Sequence, residues 1–139
     1  MRVELSDEAR RYMGQFDELT DVTPKDCLVE GDRLVFLVPV GEIASAIGQG
    51  GETVKRAEEQ LGKSIELVED AETPEGFVAS ALAPAAVNAV TISEQNDRVA
   101  YVEVAAPDRG VAIGADGANI ETARQLAKRH HGIDDIQLT

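Results

Sequence analysis

The chain repeats itself. Around residue 47 it reads Ile47-Gly48-Gln49-Gly50-Gly51-Glu52-Thr53-Val54, and around residue 113 it reads Ile113-Gly114-Ala115-Asp116-Gly117-Ala118-Asn119-Ile120. Both are isoleucine, G-x-x-G, two further residues and an aliphatic. At the same offset Ala57 matches Ala123, Leu61 falls on Ala127, Phe36 matches Val102 and Val38 matches Val104. An internal repeat of this kind means one supersecondary unit built twice. Whatever the first half folds into, the second must fold into as well, and in 139 residues each copy is a small domain.

Local patterns give the order of elements within the unit. Residues 34–40 and 98–105 are rich in β-formers and predict strands. Turns at Glu30-Gly31-Asp32-Arg33 and Gln95-Asn96-Asp97-Arg98 precede them, with hairpin partners over 26–30 and 87–93. A short helix follows each strand, over about 42–47 and 109–113, then the G-x-x-G turn, then a longer helix from near Glu52 or Ala118. Val54, Ala57 and Leu61 form one apolar stripe on that helix, repeated by Ile120, Ala123 and Ala127. Gly62 and Gly132 are its expected stops. Closing strands are expected over 63–69 and 134–138, and leading helices over 6–18, with Ser6 as N-cap, and 75–82. The order is α-β-β-α-α-β in each copy. The fold class is mixed α/β (α+β), each unit a three-stranded sheet packed on helices. Asp70-Ala71-Glu72-Thr73-Pro74 is short, polar and proline-marked, which sets the expected domains at 1–71 and 72–139.

Two helices joined by G-x-x-G make a backbone clamp. Glycine lets the chain turn tightly and lets a ligand's backbone approach without meeting a Cβ. The helix that begins there turns its unpaired N–H groups and its positive dipole end toward the loop, which favours phosphates. Lys55 and Arg56 follow just after Gly51, within reach of a sugar–phosphate chain, while Ile47 and Val54 flank the loop as an apolar floor. In the second copy Ile113, Gly114, Ala115, Asp116 and Gly117 take the same places, with Arg124 and Lys128 further along the helix. Asp116 opposes phosphate electrostatically and, beside helix N–H groups, is expected to act as a cap. The plain alternative is that the glycines only make a helix–helix turn and the cations are solvated helix charges.

G-x-x-G alone is a weak signal, but finding it twice with matching flanks is strong. The two copies resemble KH domains, whose G-x-x-G loop clamps about four nucleotides, and their element order resembles the type II form. The whole chain is similar to the archaeal NusA-like proteins. The most telling pieces are Ala46-Ile47-Gly48 with Gly50-Gly51-Glu52-Thr53-Val54-Lys55-Arg56, and Ala123-Arg124-Gln125-Leu126-Ala127-Lys128-Arg129-His130 followed by Gly132-Ile133-Asp134-Asp135. The resemblance implies a single-stranded RNA-binding factor in transcription elongation and termination, acting with RNA polymerase. A ribosome-associated KH protein and a protein-interaction scaffold with degenerate KH domains are the alternatives.

The formal net charge of −13 stands against RNA binding. Lysine is confined to Lys25, Lys55, Lys63 and Lys128, and the acids are scattered (Glu8, Asp17, Glu30, Glu42, Glu58, Glu75, Glu94, Glu121) rather than run together as a tail. Such a coat is the surface expected in a salty cytoplasm. At about 1 M salt the Debye length is only about 3 Å, and the coat then barely repels RNA.

Other residue types point away from catalysis. Cys27 is the only cysteine, so it has no disulfide partner within the chain and is expected to be a buried packing residue. His130 and His131 are expected as a helix-end packing pair, and Phe36 and Tyr101 as core strand residues. No nucleophile–base constellation is legible, and the glycines form neither G-x-x-x-x-G-K-[ST] nor a G-x-G-x-x-G turn after a strand. No enzyme activity, cofactor or metal is expected. No stretch approaches the roughly 20 apolar residues of a membrane span, and the N-terminus shows no signal core. A cytoplasmic monomer without membrane contact is the expectation.

Overall fold

The computed structural model describes residues 5–139. The chain separates into two compact units, dividing between Asp70 and Ala71. The first runs α1 (Asp7–Thr20), β1 (Asp26–Glu30), β2 (Arg33–Val38), α2 (Ile43–Ile47), α3 (Glu52–Leu61) and β3 (Ser64–Glu69). The second runs α4 (Pro74–Ala81), β4 (Val87–Ser93), β5 (Val99–Val104), α5 (Arg109–Ile113), α6 (Ala118–His131) and β6 (Asp135–Leu138). This is the α-β-β-α-α-β order expected of each copy, with boundaries moved by a residue or two. Gly62 and Gly132 end the longer helices in left-handed conformations, φ 70° and 65°.

Both sheets have the same topology. The first two strands of each unit form an antiparallel hairpin, and the third pairs parallel with the second across the helical crossover. Register follows the repeat: Phe36 faces Leu67, and its counterpart Val102 faces Leu138. In each sheet the last strand is therefore an edge lying beside the helices that carry the G-x-x-G turn.

The cores explain the apolar pattern. In the first unit Phe16 stacks on Phe36, ring centroids 4.2 Å apart, within a cluster that takes in Ala9, Val22, Cys27, Leu34, Val38 and Ala46. Cys27 is buried there as a packing residue. In the second, Phe77 of α4 stacks on His131 at 4.7 Å, so the histidine packs at the helix end as expected. One expectation fails. Phe36 is fully buried, but Tyr101 is 39% exposed. On β5 Ala100, Val102 and Val104 point inward, so strict alternation sends Tyr101 and Glu103 outward. Phe36 is the counterpart of Val102, and Tyr101 thus belongs to the opposite face.

Candidate nucleic-acid interface

The two G-x-x-G turns are the same backbone built twice. Gly48 and Gly114 have φ/ψ of 79°/170° and 80°/170°. Gly51 and Gly117 sit at 79°/10° and 75°/11°. Each turn is closed by the same bonds: Gly48 N–H donates to Ala44 O at 2.9 Å and Gly51 N–H to Gly48 O at 3.1 Å, as Gly114 does to Gly110 O and Gly117 to Gly114 O at the same distances.

The two glycines of each turn are needed for different reasons. A Cβ on Gly48 would lie 2.1 Å from Thr53 Oγ1 and 2.8 Å from Thr53 N, and one on Gly114 would lie 2.7 Å from Asn119 Cβ. The first glycine is therefore demanded by close approach to the next helix as well as by its φ. Gly51 and Gly117 face open space and are demanded by a left-handed φ alone. Their open side is the one from which a ligand's backbone can come close.

The helices that follow carry no side-chain cap. In α1 and α4 the Ser6 and Thr73 hydroxyls accept from Ala9 N–H and Gly76 N–H, both at 3.0 Å. In α3 and α6 the N-cap residue is glycine and no side-chain cap forms among the described residues; the first N–H of each helix donates to a loop carbonyl instead, Glu52 N–H to Gln49 O and Ala118 N–H to Ala115 O. Asp116 does not act as the expected cap. It occupies the place of Gly50 at φ 54°, ψ 26° against 63°, 18°, one residue before the N-cap, with its side chain exposed. It puts a negative charge on the loop without using the helix N–H groups.

The groove beside the second turn has a volume of about 430 Å³. Ile113, Ile120 and Leu138 supply its apolar lining, and Arg109, Asp116, Glu121 and Arg124 its polar one. In the first unit a groove of about 510 Å³ lies further along the helix, where Lys55, Glu58 and Lys63 meet the start of β3. The flanking Ile47 and Ile113 are 38% and 39% exposed, while Val54 is half-buried. Lys55, Arg56 and Lys128 are exposed and form no ion pair among the described residues, and the loop residues Gln49, Gly50 and Ala115 are exposed with them. Arg124 is instead held by the edge strand and by its own helix: its Nη2 donates to Ile136 O at 2.9 Å and its Nη1 to Glu121 Oε1, one turn earlier on α6, at 2.5 Å. At the matching place in the first unit Glu58 Oε2 accepts from Ile65 N–H at 2.8 Å. Sequence reasoning did not single out Arg109, Glu121, Leu138 or Glu58. The repeat alignment offered a signal, since Glu58 and Arg124 share an offset.

Paired α-β-β-α-α-β units with G-x-x-G between two helices define a tandem of type II KH domains. Known proteins agree. The KH domain family matches residues 10–74, and the NusA-like second KH domain matches residues 74–138. Over 139 residues the chain is 59% identical to the probable transcription termination protein NusA of Halobacterium salinarum, with all of both chains covered. It is 32% identical to the protein of that name from Methanocaldococcus jannaschii, covering 99% of this chain and 75% of the relative. The crystal structure of APE1850 superposes with a TM-score of 0.82 at 33% identity, covering 97% of this chain and all of that one. The chain belongs to the archaeal NusA-like transcription termination proteins.

Proposed function

We propose that the chain is a single-stranded RNA-binding factor acting in transcription elongation and termination, whose G-x-x-G loops clamp the RNA backbone. The domains are residues 1–71 and 72–139. The observation that carries the reading is the pair of helix N-termini without a side-chain cap behind open glycine turns, in a molecule whose two leading helices are capped by side chains. A positive dipole end whose first turn no side chain caps suits a phosphodiester oxygen. In the first clamp the loop is neutral, and Lys55 and Arg56 stand on the next turn without ion-pair partners among the described residues. Ile47 and Val54 offer apolar surface to a base. No step of this role requires bond chemistry.

The second clamp has the same backbone and a less favourable charge, so RNA is held chiefly by the first. Arg124 and Lys128 are its counter-charges, Arg124 within the groove and Lys128 further along α6. RNA polymerase is the partner that a termination factor implies, and the described residues include no helix long and apolar enough to cross a membrane. The chain works as a cytoplasmic monomer in this reading.

The test is the double substitution Gln49→Asp with Gly50→Asp. Asp116 already holds an aspartate at the backbone angles of Gly50, so the fold tolerates it. Most of the affinity for single-stranded RNA should disappear while the melting temperature stays near that of the parent. Unchanged RNA binding by the double variant means that the first loop is not the clamp.

A further inference from the structure

The geometry points to Arg124 as the base-selecting residue of the second groove, with guanine as the base it takes; this rests on the reading of the G-x-x-G loops as RNA clamps. Arg124 stands on the groove wall with apolar Ile113, Ile120 and Leu138. A guanidinium has five N–H donors. Nε and Nη2 converge on the Ile136 carbonyl oxygen at 3.2 and 2.9 Å, and Nη1 is bonded to Glu121 Oε1. Asp135 Oδ1 lies 3.0 Å from Nε. Three donors are committed, and one N–H remains on each terminal nitrogen.

These two remaining donors belong to a group already held in place, so little side-chain freedom is lost when acceptors arrive. A pair of donors on neighbouring nitrogens matches the O6 and N7 acceptors of guanine. Adenine offers N7 but sets an amino donor beside it. RNA bases splayed from a single strand are read on just these edges. The adjacent Glu121 carboxylate is an acceptor for the N–H groups on guanine's other edge. The first unit reverses the arrangement. Glu58 holds the equivalent place, with its carboxylate on Ile65 N–H, and a carboxylate repels O6. The preference therefore belongs to the second groove alone.

The experiment uses the full chain with the first clamp disabled by Gln49→Asp and Gly50→Asp, so that the remaining binding reports the second groove. Four oligouridine strands carrying a central run of G, A, C or U are compared at one salt concentration. The G strand should bind about tenfold more tightly than the A strand. Adding Arg124→Gln should abolish that ratio, with a thermal melt to verify folding. If that variant does not fold, Arg124→Lys keeps a cation and a donor toward Ile136 but no fork, and should likewise lose the ratio. Equal binding of all four strands, or a G preference that survives both substitutions, overturns the assignment. So does loss of all binding in the disabled background while the parent still binds, a result that leaves the first clamp standing. A parent chain that binds none of the strands overturns the RNA reading itself.

Discussion

The two G-x-x-G loops have nearly the same backbone and different surfaces. At the third loop position φ is 63° at Gly50 and 54° at Asp116. What differs is charge and bracing. The first loop is neutral and followed by Glu52, Lys55 and Arg56, whereas the second carries Asp116 and is followed by Ala118, and its helix returns Asn119 Nδ2 to the Val111 and Ala112 carbonyls at 3.2 Å. The total charge of each half does not rank them. Residues 5–70 hold fifteen acids and seven lysines and arginines, and residues 71–139 hold ten and five. The more acidic half has the loop without a charged residue of its own. The comparison teaches that duplication preserved the steric demands of the turn and let its electrostatics diverge, because backbone geometry is intolerant of side-chain change and surface charge is not.

The sharpest way to break this comparison is at the first glycine of each turn. Gly48→Ala and Gly114→Ala should each cost about 3 kcal/mol or more, since a Cβ meets the next helix and the φ/ψ is open only to glycine. Gly51→Ala and Gly117→Ala, with free space around them, should cost only about 1–2 kcal/mol. Denaturant midpoints of the four variants check both claims, and equal losses at all four positions would remove the distinction.

The tethers to the edge strands come next. Arg124→Ala removes a charged donor from Ile136 O and should cost about 1.5 kcal/mol, while Glu58→Ala removes a single acceptor and should cost about 1 kcal/mol. Hydrogen exchange at Ile65 N–H should speed up in Glu58→Ala and stay unchanged in Arg124→Ala.

A reciprocal exchange sharpens the electrostatic half of the comparison. Gly50→Asp should weaken RNA binding several-fold and Asp116→Gly should strengthen it by a similar factor, about 1 kcal/mol for a charge near a surface. Titration at one salt concentration measures both, and opposite signs are required. The smallest difference concerns salt. Screening relieves self-repulsion in a chain of net charge −13, so the melting temperature should rise by a few degrees, roughly 1 kcal/mol, between dilute and molar KCl. A flat response would leave the acidic surface without this explanation.

Much of the fold was legible because its signals are local. The apolar stripe Val54-Ala57-Leu61 and its copy Ile120-Ala123-Ala127 follow helical spacing, and Gly62 and Gly132 stop their helices as the stop rule demands. Gly48 and Gly51 were legible because close approach and a positive φ select glycine at these two places in both copies. Tyr101 was misplaced although the repeat aligned Phe36 with Val102, and a one-residue step along a strand reverses the face. Asp116 was read as a cap because its distance from the helix start is right to within one residue, and capping depends on that one residue.

By itself, then, the sequence determined the order of elements, the duplication and the places where only glycine fits, all of which depend on neighbours a few residues apart. The tertiary structure decided which side chains meet. Arg124 reaches Ile136 and Glu58 reaches Ile65 because the parallel pairing of each last strand with the second lays an edge along the clamp helix. No local pattern encodes that juxtaposition. It arises only when the crossover closes, and it turns two similar helices into one wall holding a carboxylate and another holding a guanidinium.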